Sequence, residues 1–255
     1  MGLKNQIKQF ALGLGVDDIG FASISDYQSP KSPPLESIFP GARSMIIMVN
    51  REPSHCESPN PQIATTGRME LLEYNHQCNL QLARYLERHC SAKAMVIPPS
   101  YPLNFGPPGM GMIGEVSLRH AAIAAGLGRF GRHNLVIHPR LGTRVFFCGV
   151  LCDLDLPSDP PVEEDLCCQC NLCVENCPTQ ALDEEGLTNT GRCFMNVQPN
   201  ALPKLIKFWR KFVDANPDEQ KKMFLGEDFA KAYHAQLVGF EYHCFKCYTS
   251  CPISQ

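Results

Sequence analysis

Apolar residues at Leu3, Ile7, Phe10, Ala11 and Leu14 recur at the three- and four-residue steps of one helix face, and Gly15 supplies a stop. Short apolar runs at 19–23 and 45–49 have the length and composition of strands. The helical period returns over 69–90 with Leu71, Leu72, Leu80, Ala83 and Leu86 inward, and Arg88 and His89 suit the negative pole at its end. A strand is predicted over 94–97 and a helix over 116–125, closed by Gly126. Residues 134–138 and 144–151 read as two strands joined by the turn Pro139-Arg140-Leu141-Gly142. Residues 98–114 are too rich in proline and glycine for regular structure; such a loop is either a functional lid or a plain surface excursion.

The mixture of helices and strands predicts an α/β (α+β) domain over 1–160. Pro157-Ser-Asp-Pro-Pro161 reads as a linker into a cysteine-rich domain over 161–255, which carries a mostly helical insertion at 201–239. Trp209, Phe208 and Phe212 would form the apolar face of that insertion. Hydrophobic residues make up 44% and charged residues 19%, an ordinary globular balance. No run of eighteen apolar residues exists to cross a membrane, and the start lacks an apolar signal core, so the expected location is cytoplasmic. Formal net charge is −3. Nucleic acid is therefore an unlikely partner, and a basic patch on a redox protein a better one.

Fourteen cysteines, nine of them at or after Cys167, change the picture. With no export signal a disulfide framework is disfavoured, and metal is the remaining reason for so many thiols. Cys167-x2-Cys170-x2-Cys173-x3-Cys177-Pro178 is the bacterial ferredoxin run. In that run three thiolates wrap one [4Fe–4S] cubane and the fourth points to a second. A zinc site would call for paired knuckles far apart. The chain supplies further ligands at Cys244-x2-Cys247-x3-Cys251-Pro252, and Cys193 stands alone between the two motifs. Crossing over assigns Cys167, Cys170, Cys173 and Cys251 to one cluster and Cys177, Cys193, Cys244 and Cys247 to the other. Cys168 sits one residue too close to Cys170 to replace Cys167, and Cys56, Cys78, Cys90, Cys148 and Cys152 read as small buried apolar residues.

Gly126-Leu-Gly128-Arg-Phe-Gly131 matches the dinucleotide fingerprint, but a helix precedes it and a strand follows, the reverse of what a pyrophosphate site needs. The glycines instead let the backbone approach a ligand or a neighbouring strand. Arg129, Arg132, His133 and Arg144 form a basic group that suits an anionic or amide-rich ligand, or a solvated edge. Arg119 and His120 face either a polar stripe or a pocket.

Three stretches give the chain a resemblance to the epoxyqueuosine reductases and the corrinoid-dependent reductive dehalogenases. They are Gly15-Val-Asp-Asp-Ile-Gly-Phe-Ala22, the run from Ala125-Gly-Leu-Gly-Arg-Phe-Gly131 to Pro139 and on to Gly142-Thr-Arg144, and the paired cysteine region with Gly191-Arg192 before Cys193. The resemblance implies a nitroreductase-like corrinoid-binding domain followed by a ferredoxin-like 2[4Fe–4S] domain, with base-off cobalamin between them. Gly131, His133, Asn134, Leu135, Val136 and Ile137 would then line the corrinoid. The implied function is a cobalamin-dependent reductase of an unidentified small-molecule substrate, fed by a low-potential donor such as ferredoxin or flavodoxin. An electron carrier or activator for a separate corrinoid protein, and a tRNA epoxyqueuosine reductase, are the alternatives.

Two departures count against tRNA: Met112 fills the slot of the family's aspartate proton donor, and the helical-repeat domain usual in those reductases does not follow. Tyr74 and Glu115 are the candidate proton donors in its place, set against a wet tyrosine at the core edge and an acid in a helix's first turn.

Overall fold

The computed structural model describes residues 2–99, 114–239 and 241–253, so most of the expected loop, Met112 included, lies outside the described residues. The helix α1 (Leu3–Gly13) leads into β1 (Asp18–Ser23), the one-turn α2 (Leu35–Ile38) and β2 (Ser44–Arg51). A 29-residue helix α3 (Pro61–His89) then runs to β3 (Ala94–Ile97). After α4 (Leu118–Ala124) come the two-residue strands β4 (Arg129–Phe130) and β5 (Val136–Ile137), and then β6 (Val145–Cys152).

The four longer strands form one antiparallel sheet in the order β1-β2-β6-β3. Every residue of β2 except Arg51 is buried, which places this strand at the centre with both sheet faces covered. Alternation along β2 splits the core. Ile46 and Met48 pack with α1 and α3 on one face, while Met45, Ile47 and Val49 pack with α4 on the other. Cys78, Cys148 and Cys152 belong to the first of these cores and Cys56 is also fully buried, as their isolated positions predict.

Three expectations are corrected. First, α3 begins at Pro61, well before residue 69. Asn60 caps it by accepting from the Gln62 and Ile63 N–H groups, and Thr65, Thr66 and Gly67 blur the helical signal of the opening turns. At 29 residues this helix is about 44 Å long. The eight-residue strands beneath it span about 27 Å, so its first turns overhang the sheet.

Second, the strand expected over 134–138 shrinks to Val136–Ile137, because Asn134 adopts φ 58 and turns the chain.

Third, Pro157–Pro161 is no free linker. The Asp159 N–H donates to the Phe21 carbonyl, its carboxylate accepts from the Phe21 N–H and the Lys4 ammonium, and Ser158 Oγ accepts from the Ser23 N–H. Gly126 fits against this segment with φ +70, where an added Cβ would lie 2.3 Å from the Pro160 carbonyl oxygen. Gly126→Ala should therefore cost about 2–3 kcal/mol, from backbone strain plus displacement of the segment. Gly186→Ala, at φ +71 with open space around it, should cost about 1 kcal/mol in the same thermal unfolding comparison.

The cysteine-rich tail contains α5 (Leu172–Glu175), α6 (Thr190–Val197), α7 (Leu202–Asp214), α8 (Pro217–Phe224), α9 (Glu227–Val238) and α10 (Lys246–Thr249). Helices α7 to α9 form the expected insertion around Phe208, Phe212, Phe224 and Phe229. Phe208 is buried, whereas Trp209 stays 41% exposed.

Candidate metal centre

The ferredoxin run is shaped by Gln169 and Asn171, both left-handed at φ 52 and 59, which turn the chain between successive cysteines. Cys167, Cys168, Cys170 and Cys173 thus line one small cavity, joined from the far end of the chain by Cys251 and from the α/β layer by Arg132 and His133. The thiols close in tightly, leaving a cavity of only about 10 Å³. Cys173 has Cys167 and Cys251 as charge neighbours, and Cys251 has Cys167, Cys170 and Cys168.

The remaining thiols gather beside them. Cys193, on α6, neighbours Cys244 and Cys177, and Cys247 neighbours Cys193, Cys244 and Cys177 together with Cys173 of the first group. Burial, reinforced by these neighbours, pushes the Cys247 thiol up to about 12. A thiol held there is neutral unless a metal displaces its proton.

One feature fits iron–sulfur clusters. Backbone N–H groups already point at sulfur: Arg132 N–H donates to Cys167 Sγ at 3.4 Å and Ala181 N–H to Cys177 Sγ at 3.2 Å. Such bonds stabilise negative charge on cluster sulfur.

His133 borders the first thiol cavity. Its Nδ1 accepts from the Leu135 N–H, which leaves the proton on Nε2, a buried atom without a partner among the described residues. Burial lowers this imidazole to about 4, so it is neutral at pH 7.

The residues expected to line a corrinoid are brought together in the turn between β4 and β5, with differing fates. The Val136 side chain packs into the α4-side core, and Ile137 is fully buried. His133 borders the first thiol cavity instead, and Gly131 is pressed against His133 and Ile137. Asn134 is the bridge: its carbonyl accepts from the Arg119 guanidinium at 2.5 Å and its amide donates to Thr188 Oγ1 at 3.2 Å.

On the other side of α4 lies a cavity of about 600 Å³, bordered by Tyr27, Pro34, Leu35, Glu36 and His120. The sequence left Arg119 and His120 between a stripe and a pocket; His120 borders this cavity and Arg119 turns to Asn134. The glycine fingerprint serves close packing: at Gly128 an added Cβ would come within 2.3 Å of the Ile137 carbonyl oxygen.

Of the candidate proton donors, Tyr74 stands on α3 with its hydroxyl donated to the Leu14 carbonyl at 2.8 Å, across the sheet from α4. Burial pushes its pKa up to about 12. Glu115 lies in the bend before α4, half-buried.

Sequence reading missed the contact that joins tail to sheet. Arg68, on the overhanging first turns of α3, is 3% exposed and ion-paired to buried Glu52. Its guanidinium lies 4.1 Å from the Tyr242 ring centroid and 5.2 Å from that of Tyr248. The Thr65 hydroxyl accepts from the Tyr242 N–H, and the Thr143 hydroxyl donates to the Tyr248 carbonyl. The tyrosines flank Cys244 and Cys247, yet nothing in their spacing names Arg68 as a partner.

Net charge also concealed a local excess. Helix α7 carries Lys204, Lys207, Arg210 and Lys211 against Asp214 alone. A negative total averages over the surface and does not exclude a polyanionic partner from one face.

Known proteins share these features. The 4Fe-4S binding domain family matches residues 160–183. Epoxyqueuosine reductase of Bacillus subtilis is 24% identical over 99% of this chain, which covers 64% of that protein. That of Aliivibrio fischeri is 40% identical over 75 residues, 29% of this chain and 20% of its own length. The chain thus spans less than two thirds of the full-length relatives it matches.

A crystal structure of epoxyqueuosine reductase with an epoxyqueuosine-modified tRNA stem loop superposes with TM-score 0.60 at 19% identity, over 99% of this chain and 65% of that one. A reductive dehalogenase whose structure suggests a mechanism for B12-dependent dehalogenation superposes with TM-score 0.60 at 19% identity, over 75% of this chain and 28% of that one. No helix among the described residues is long and apolar enough to cross a membrane. In sequence along nearly its whole length the chain is similar to epoxyqueuosine reductases, in fold it is similar to these and to reductive dehalogenases, and residues 160–183 match the 4Fe-4S binding domain.

Proposed function

We propose that the chain is a cytoplasmic reductase that passes single electrons through two [4Fe–4S] clusters to a bound corrinoid and on to a substrate. Cys167, Cys170, Cys173 and Cys251 would hold one cluster and Cys177, Cys193, Cys244 and Cys247 the other. The observation that supports the reading is the convergence of these thiols from both ends of the last third of the chain, with Cys167, Cys170, Cys173 and Cys251 around one cavity and Cys177, Cys193 and Cys244 beside Cys247. When bound, the clusters supply low-potential electrons and the corrinoid a cobalt centre that accepts them.

The chain's own residues prepare the site. The Arg132 and Ala181 amides donate to Cys167 and Cys177 sulfur, His133 borders the cavity that Cys167 lines, and Asn134 ties α4 to the loop before α6. For the corrinoid, residues 131–135 and the cavity bordered by His120 are the surfaces available. The division at about residue 160 is a functional one in this reading: the α/β layer holds corrinoid and substrate, the tail holds the clusters.

Epoxyqueuosine in tRNA is the substrate class the relatives favour, and the basic face of α7 accommodates a polyanion. A small molecule is the second reading, favoured by Met112, which cannot donate a proton. Ferredoxin or flavodoxin is the donor class.

Anaerobically reconstituted protein should contain about eight irons and bind added cobalamin in a base-off form visible by absorption. Iron without corrinoid uptake would leave an electron carrier for a separate corrinoid protein. Conversion of epoxyqueuosine-containing tRNA, followed by nucleoside chromatography, then decides between the two substrate readings.

A further inference from the structure

Helix α7 turns two different faces outward and inward. Phe208 and Phe212 pack inward, against Phe229 and Phe224. Ile206, Trp209 and Val213 recur at helical steps on another face and are 45%, 41% and 75% exposed. The Trp209 ring lies 6.0 Å from that of Phe224, and Leu225, next in the chain, is 90% exposed. Exposed apolar residues scattered singly are ordinary, but a row of them on one helix marks an interaction surface.

Cations line one side of this row. Lys207, Arg210 and Lys211 are exposed, and none of the three is in an ion pair among the described residues. Lys204 is engaged elsewhere, with Asn200 and Asp228.

The three-helix insertion stands on a short neck. Asn200 donates to the Glu241 carboxylate from its backbone N–H and its side-chain amide, each at 3.0 Å, and the His243 N–H donates to the Val197 carbonyl at 2.9 Å. One strand of the neck follows α6, which carries Cys193, and the other ends at His243, directly before Cys244. Whatever seats on α7 is therefore tied to the cysteine-rich tail through a few residues of ordered chain.

Charge and shape select the occupant. A second copy of the chain would set cation against cation across a two-fold contact. The phosphates of a nucleic acid would engage the cations and leave Ile206 and Val213 in water. An acidic protein answers both halves, with an apolar centre and a charged rim. At 13 residues α7 is about 20 Å long, the scale of the small contacts that transient electron-transfer pairs make.

Resting on the reading above, we propose that the outer face of α7 is the docking surface for a small acidic one-electron carrier protein of the ferredoxin or flavodoxin class. In the docked pair the reduced centre of the carrier loses one electron and an oxidised cluster of the tail gains it. No bond forms or breaks and no proton moves.

The test is stopped-flow reduction of anaerobically reconstituted full-length protein by pre-reduced flavodoxin and, separately, ferredoxin, read from bleaching of the cluster absorbance. The wild-type rate constant should fall as salt rises, because screening shortens the reach of the cations. Lys207→Glu with Arg210→Glu should lower it about tenfold at low salt and flatten its salt dependence. Ile206→Gln with Val213→Gln should lower it about tenfold and leave the salt dependence in place. Arg84→Glu with Arg88→Glu, the same charge change on exposed residues of α3, should keep the wild-type rate. Every variant should be reduced by a viologen radical as fast as wild type, which shows the clusters and fold intact.

A carrier rate unchanged by the α7 charge reversal would overturn the docking surface, as would an equal loss in the α3 control. Wild type reduced by the viologen but by neither carrier would overturn it too. So would loss of tRNA or phosphatidylglycerol-vesicle binding in the α7 variant with the carrier rate untouched, which would give this face to a nucleic acid or a membrane. A wild-type chain that takes up far fewer than about eight irons would instead defeat the reading of function on which the surface rests.

Discussion

Cys193→Ala is expected to halve the iron and sulfide content of the anaerobically reconstituted protein, from about eight to about four of each per chain. One of the two cluster signals should vanish, and with it electron delivery to any acceptor. Cys193 belongs to neither spaced motif, yet α6 places it among Cys177, Cys244 and Cys247. The placement is specific: Asn189 caps α6 by accepting from the Arg192 N–H, and its carbonyl accepts from the Cys193 N–H. Among the described cysteines none stands ready to replace it. Cys168 is exposed and adjoins the first group, while Cys56, Cys78, Cys148 and Cys152 are buried elsewhere. Cys168→Ala should leave the metal content unchanged. Eight irons retained by Cys193→Ala would remove this residue from the ligand set and break the crossed pairing.

Arg68→Met should produce the largest loss of stability of any single change outside the cysteines. Removing the guanidinium leaves Glu52 buried without its partner and the Tyr242 and Tyr248 rings without their cation. Breaking a buried pair in this way costs about 3–5 kcal/mol, a fall in apparent Tm of roughly 10 °C.

The loss should depend on pH. Burial lifts the Glu52 carboxyl to about 7 even with Arg68 present, and without that cation it rises further. Because its folded pKa lies above the unfolded value, the contribution of Glu52 is complete at low pH and disappears as pH climbs through 7. Arg68→Met should accordingly be least harmful near pH 5.5 and most harmful near pH 8.5. Arg68→Met combined with Glu52→Gln should recover more than half of the deficit. A deficit that is the same at both pH values and unrelieved in the double variant would show that the ion pair is not what Arg68 provides.

What could be read from the chain alone follows the reach of each interaction. Strands β1, β2 and β6 and helix α1 are written in local periodicity, because each buries one face or two, whereas β3 buries only Ile97 and is read from its short apolar run. The cysteine motif matched by the 4Fe-4S binding domain is legible for a similar reason: a cubane fixes ligand spacing over a handful of residues. Helix α3 was foreshortened because Thr65, Thr66 and Gly67 are poor helix formers locally, held by the cap at Asn60 and by tertiary contacts. The segment 157–161 looked loose because proline signals the lack of a helix, and says nothing of hydrogen bonds to β1. Arg68, Arg119 and the unpartnered His133 Nε2 were invisible for a different reason. Their meaning comes from what faces them after folding, and residue type alone does not carry it.

The overhang of α3 makes severing the chain costly. Its first turns carry Thr65 and Arg68 beyond the sheet into the cysteine-rich tail, while Asp159 and Ser158 sew the tail's leading edge to β1. A fragment beginning at residue 161 would lose the guanidinium on which Tyr242 and Tyr248 close, and a fragment ending at 160 would expose that guanidinium to water. Neither half is built as an autonomous folding unit, so the cysteine-rich tail should take up iron only once residues 2–160 have closed around their sheet.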